Sequence, residues 1–267
     1  MSYLAQATSE KPKRGIRMII YGPPKIGKTT FGADVPNHIF MQLEKGLQYV
    51  EKAHALPYTE SYDVVKEMIT ELGDVEKHKY RTLVVDTIDM LETRIADAIV
   101  KSQNNPQVKT LQDIAYGRGI PMLIAETHKV LSAFDWLRDK GINIILLAHD
   151  DIKKFEPPVG APYTYHAPSL YSKTSTGDNT LKLYTDWADV IAYCDFKTIV
   201  KEVDAGFGAK KGQALGTGER VMFLDASNPS YVAGSRIPLP KEIRFSWADF
   251  AAAHKAAIST KTEEVKK

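Results

Sequence analysis

The sequence predicts an α/β fold, a mainly parallel sheet with helices on both faces, and three observations lead there. Short apolar runs alternate with segments of helical period, the pattern of right-handed βαβ crossovers. The first run, residues 17–21 (RMIIY), feeds Gly22-Pro23-Pro24-Lys25-Ile26-Gly27-Lys28-Thr29, a complete G-x-x-x-x-G-K-[ST] phosphate loop with a strand before it and a helix after it. A later apolar run, residues 83–86 (LVVD), ends in a carboxylate. Together they predict a P-loop nucleotide-binding core.

Residues 1–14 are polar and basic and read as a flexible leader. After the phosphate loop a helix over 29–33 is stopped by Pro36, and a second strand covers 39–43. Val64, Val65, Met68, Ile69 and Leu72 share one helical face over 61–72, with Gly73 at the C-cap position. The strand 83–86 is followed by Ile88, Leu91, Ile95 and Ile99 at helical spacing. Residues 102–119 lose periodicity. Pro121 at a helical N1 position opens a helix that closes at Lys140-Gly141, and the strand 142–148 (INIILLA) follows. Residues 151–180 hold four prolines and no apolar period, so they read as a long functional loop. Strands are expected at 190–196, 199–203, 220–224 and 243–245, with a glycine-rich hairpin tip bearing Lys210 and Lys211. The core domain is placed at 15–250 and a C-terminal helix or tail at 251–267.

Composition removes other classes. Of 267 residues, 43% are hydrophobic, enough for a real core, and Lys+Arg 35 against Asp+Glu 33 gives a net charge of +2, so any nucleic-acid binding must be local. The single cysteine, Cys194, excludes a disulfide framework and a cysteine-cluster metal site and fits a reducing compartment. No apolar run approaches the ~18 residues of a membrane span; a soluble, cytoplasmic protein is expected, in the host cytoplasm if phage-encoded.

The chemistry follows from residue types. The loop residues Gly22, Pro23, Pro24, Lys25, Ile26, Gly27, Lys28, Thr29 and Thr30 wrap a nucleotide's phosphates; Lys28 reaches the β- and γ-phosphates and the Thr29 hydroxyl faces Mg²⁺. Asp86 is the carboxylate such a site needs for Mg²⁺. Asp89, in the next helical turn, reads as a helix-dipole partner. Thr87 follows Asp86, so the water-activating carboxylate comes from elsewhere; Glu44, at the C-terminal end of the second strand, is the candidate. His149, the polar tip of an apolar strand, is placed to sense the γ-phosphate. In 151–180, Lys153, Lys154 and Lys173 mix with Phe155, Tyr163, Tyr165, His166 and Tyr171, the cation and aromatic mixture that holds single strands. Arg118, between two glycines, adds a phosphate contact or serves a simple turn.

The stretches GPPKIGKTTFGADVP, LEKGL, LVVDTID, IAYGRGI and IILLAH resemble the phage RecA-like, AAA-type P-loop ATPases of the Sak-four group, over residues 15–245. The resemblance implies a RecA-like core with a C-terminal β-hairpin extension. It implies an ATP- and Mg²⁺-dependent ATPase that binds single-stranded DNA and acts in homologous recombination and strand annealing. It makes 102–119 and 151–180 the DNA-facing loops, and Arg236, in the late hairpin 231–245, a cation offered to a neighbouring subunit's nucleotide. A homo-oligomer with shared sites and a single-strand DNA-binding protein are the partners it suggests. A nucleotide-dependent protein-interaction switch without direct DNA binding is the rival reading.

Overall fold

The computed structural model describes residues 14–172, 179–204 and 210–264. Five strands run parallel in the spatial order β2 (His38–Gln42), β3 (Thr82–Asp86), β4 (Asn143–Phe155), β1 (Arg17–Gly22) and β6 (Val190–Asp204). β7 (Lys210–Phe223) and then β9 (Glu242–Arg244) continue the β6 edge antiparallel. β5 (Tyr163–Pro168) pairs antiparallel with the outer half of β4, and β8 (Gly234–Ser235) with the start of β6. In register, Gly22 stands opposite His149, and Asp86 opposite both Gln42 and Leu147. The chain segments that leave these strands therefore begin at one edge of the sheet, where ligands of open α/β sheets gather.

A sheet covered on both faces needs apolar residues at successive positions. Ile19, Tyr21, Val85 and Leu146 join the layer formed by α2 (Tyr62–Leu72), α3 (Ile88–Ser102), α4 (Gly119–Asp139) and α5 (Thr180–Trp187). Ile20, Phe40, Val84 and Leu147 join the opposite layer, with α1 (Lys28–Asp34) and α6 (Trp247–Glu264). There Phe31 of α1 stacks on Phe245 at 5.2 Å and meets the edges of Trp247 and Phe250. Each ring so buried contributes roughly 1.5–3 kcal/mol. At the sheet's other end Asp189 takes Arg17 at 2.8 Å and Arg138 at 3.3 Å, fastening β6 to β1 and α4.

Several boundaries differ from the sequence reading, each for a physical reason. The expected loop 151–180 is largely structured: β4 continues through Phe155 and returns as β5, and α5 begins at Thr180. The hairpin has polar residues on both faces, so it carries no apolar alternation to find. The α5 helix was readable from Asn179, whose side chain accepts from the Lys182 N–H at 2.6 Å, and from Leu181, Tyr184 and Trp187 on one face. The strands expected at 190–196 and 199–203 are one strand, β6, with a bulge between Phe196 and Thr198. Gly212, Gly216 and Gly218 lie within β7 rather than at a tip, and the tip itself, 205–209, lies outside the described residues. Pro121 is the third residue of α4, not the first; its missing N–H is still one of those a helix start leaves without a partner. Gly73 caps α2 at φ −68°, and its need for no side chain is a close approach, since an added Cβ would lie 1.7 Å from the Trp136 ring. β8 and β9 do not pair with each other, so 231–245 is not a hairpin; each strand edges a different neighbour. α6 starts at Trp247 and puts Phe250 in the core, spanning the division placed at 250.

Candidate nucleotide site

The phosphate loop leaves β1 at Gly22, where an added Cβ would lie 2.1 Å from the Cys194 carbonyl oxygen of β6. Gly27 has φ +107°, a conformation L side chains rarely adopt, and its Cβ position is 2.5 Å from Arg220 Nη1. Both motif glycines are thus required by backbone shape and neighbours. Pro23, Pro24, Lys25 and Ile26 form the turn between them, with Lys25 exposed at φ 65°. Lys28 is the first residue of α1 and only 8% exposed. Its Nζ donates to the carbonyls of Gly22 (2.7 Å) and Pro23 (3.1 Å), inside the loop. Burial lowers its pKa, so an incoming phosphate gains a cation already stripped of water. Thr30 follows on α1, exposed.

Thr29 Oγ1 donates to Asp86 Oδ2 at 3.1 Å, joining the loop to the end of β3. Burial raises the Asp86 carboxyl to about 6, opposed by the Thr29 bond and reinforced by nearby Glu44. A hydroxyl beside a carboxylate kept from water is a hard-oxygen donor set that fits Mg²⁺. When bound, that ion would neutralise phosphate charge, with Thr29 and Asp86 as its protein ligands. The Asp86–Thr87 peptide is cis.

Beyond β2, Glu44 Oε1 accepts from Thr87 Oγ1 at 2.7 Å and lies 3.6 Å from His149 Nδ1. His149 is in turn held by Asp89: Oδ1 accepts from its backbone N–H at 3.0 Å, and Oδ2 is 2.8 Å from Nδ1. The dipole role expected of Asp89 is therefore incomplete, because its two oxygens serve His149. The hydrogen bond to Asp89 raises the His149 pKa against burial. Burial pushes the Asp89 carboxyl up, but the bonds from His149 outweigh it, and its pKa is lowered. With Nδ1 turned to Asp89, Nε2 is the ring nitrogen left free for a phosphate oxygen. Glu44, positioned by Thr87, keeps a carboxylate oxygen available to orient and deprotonate water.

The other candidates are dispersed. Lys153 is turned in, pairing with Asp151 at 2.6 Å and donating to the Leu170 carbonyl at 3.3 Å. Lys154 lies on the opposite face of the hairpin, exposed beside Glu156 at 2.7 Å. Phe155, Tyr163 and Tyr165 form an aromatic ladder with ring separations of 5.4 and 6.5 Å. Lys173 lies outside the described residues. Arg118 stands at the start of α4 with its guanidinium 5.9 Å from the ring of Tyr116. Arg236 sits at the opposite end of the sheet from its own phosphate loop, 3.4 Å from Asp189 and donating to the Asp186 carbonyl. Arg220 was missed by sequence reasoning: from 194 positions away it donates to the Ile26 carbonyl at 3.2 Å, and no local pattern announces such an approach.

A lysine and a hydroxyl on a phosphate loop, facing a buried strand-end carboxylate, define the class: a P-loop ATPase. The fold agrees, with its mainly parallel sheet between helical layers. The chain belongs to the AAA domain family, whose model matches residues 14–237. Among solved structures it is similar to the flagellar accessory protein FlaH of Methanocaldococcus jannaschii, at 11% identity and a TM-score of 0.38, over 92% of this chain and 91% of that one. No curated protein matches the sequence. Among the described residues no helix is long and apolar enough to cross a membrane.

Proposed function

We propose that this chain binds ATP with Mg²⁺, hydrolyses it slowly, and couples turnover to single-stranded DNA during phage recombination and strand annealing. The observation that carries the coupling is the course of β4. His149, beside Glu44 at the nucleotide edge, and the hairpin with Lys154, Phe155 and Tyr163 belong to one unbroken strand and its partner. In this reading Lys28 leaves the Gly22 and Pro23 carbonyls for the phosphates, Glu44 activates water, and His149 Nε2 meets the γ-phosphate. Lys154 neutralises a DNA phosphate while the aromatic ladder accepts bases. Arg236 serves a neighbouring subunit, and a single-strand DNA-binding protein assists loading.

ATP turnover measured with and without single-stranded DNA tests the reading. DNA should stimulate turnover, and K154A/F155A/Y163A should abolish the stimulation while leaving basal turnover in place. In direct binding, loss of the lysine should lower the salt slope by about 0.7. Turnover indifferent to DNA, with a slope unchanged in the variant, would leave only the ATPase standing.

A further inference from the structure

Outside the nucleotide site, α3 carries a polar stripe that ATP chemistry does not use. Arg94, Asp97, Ala98, Lys101 and Ser102 recur at i, i+3, i+4, i+7 and i+8, so they share one helical face. That face lines a cavity of about 760 Å³ whose other wall is the chain from Tyr58 to Asp63.

Arg94 is the group there that its surroundings leave unsatisfied. Its side chain is 12% exposed, and its Nε, shut off from solvent, has no hydrogen-bond partner among the described residues. What contacts it has are long: Nη2 donates to the Tyr58 hydroxyl at 3.4 Å, and Nη1 stands 4.0 Å from Asp97. The Tyr58 hydroxyl is itself committed, donating to Glu60 at 2.6 Å. A guanidinium withdrawn from water without a close acceptor is costly unless something supplies one. Nε and Nη2 form one edge of the fork, a donor pair matched to the two oxygens of a single carboxylate.

The rim decides what brings that carboxylate. Glu60, Asp63 and Asp97 stand around it against Lys101. A nucleic-acid backbone or a polyphosphate would meet three like charges. An acidic side chain flanked by a basic one on the same peptide meets opposite charges at both places. Tyr58 and Tyr62 add the rigid amphipathic surface that protein interfaces favour. We propose that this cavity docks an acidic side chain of a protein partner, with Arg94 as its two-point anchor and the rim carboxylates receiving the partner's adjacent cation. The site is separate from the nucleotide edge and its test needs no ATP, so its failure would leave the ATPase reading untouched.

The test follows the Arg94 Nε–H resonance in the full chain labelled with ¹⁵N at arginine Nε, assigned by its disappearance in R94K or, should that variant not fold, by its proximity to the Tyr58 ring. The probes are acetyl-Lys-Glu-Lys-amide, its Lys-Gln-Lys counterpart, inorganic phosphate and a thymidine decanucleotide. The glutamate peptide should shift the resonance saturably, at a half-saturation about tenfold or more below that of every other probe. Folded R94K, keeping the charge without the fork, should lose the peptide's effect on neighbouring signals. No shift, a shift equal to that of the glutamine peptide, or tighter binding of phosphate or the oligonucleotide would each overturn the proposal.

Discussion

Replacing Asp89 by Asn tests whether His149 is a positioned sensor or a bystander. The carboxylate serves two donors, the His149 backbone N–H at 3.0 Å and the ring Nδ1 at 2.8 Å. Asparagine has one carbonyl oxygen and cannot serve both. A hydrogen bond to a charged group contributes roughly 1.5–3 kcal/mol. The His149 side chain is 39% exposed, so screening brings that to about 1.4 kcal/mol, which converts to about a tenfold loss of kcat if ring orientation is what is lost. The pH dependence has a definite sign. His149 is raised from its ordinary 6.5 and Asp89 is lowered from 3.8. The raised histidine's contribution is complete below 6.5 and disappears as pH rises through its folded value; the lowered aspartate's is complete above 3.8 and disappears as pH falls through its folded value. The Tm difference between wild type and D89N should therefore be widest between about pH 4 and 6.5 and should narrow in alkali. Thermal melts at pH 5.5 and 9, with single-turnover ATP hydrolysis, measure both effects. An equal Tm difference at the two pH values, together with a kcat within about twofold of wild type, would refute the positioning argument.

Three other outcomes follow from the site. Lys28→Ala should abolish nucleotide binding by calorimetry, because it removes the one cation that the phosphate loop buries. Glu44→Gln should retain ATP affinity while turnover falls by about 10²-fold or more, since the amide keeps an oxygen for the Thr87 hydroxyl but cannot take a proton; unchanged turnover would assign the base elsewhere. Gly27→Ala, strained at φ +107° and driven against Arg220, should lower Tm and weaken ATP binding. The strain of a non-glycine residue there is about 1–3 kcal/mol, and R220A in the same chain should recover part of the stability by making room.

What was legible in the sequence was chemistry carried by contiguous residues. The loop from Gly22 to Thr29 is a local object: its glycines, lysine and hydroxyl must occur at fixed spacing for one turn to wrap a phosphate, so the spacing reveals the site. Asp86 and His149 were legible for a related reason. Each is the polar end of an apolar strand, and strands of a parallel sheet deliver their ends to one edge, so Asp86 and His149 were placed near each other without any knowledge of register. Glu44 needed the same argument and one element more, since it stands two residues beyond β2.

The partners of these groups were not legible, because each is a contact between elements. Asp89 looks from its own segment like any acid in a first helical turn; that it grips His149 depends on how α3 leaves β3, sixty positions earlier in the chain. Arg220 arrives over the phosphate loop from β7 through two intervening layers of topology. The hairpin of β4 and β5 hid because its pattern is exposed and polar on both faces, where periodicity has nothing to report, yet its pairing, from Asp150 opposite Pro168 to Phe155 opposite Tyr163, is continuous. That continuity changes what the region can do. A loose loop binding DNA would order itself with little effect on β4, whereas a paired hairpin moves as one piece with the strand that holds His149. Any ligand that shifts the hairpin must act on the histidine, and by linkage any phosphate that shifts the histidine must act on the hairpin to the same extent.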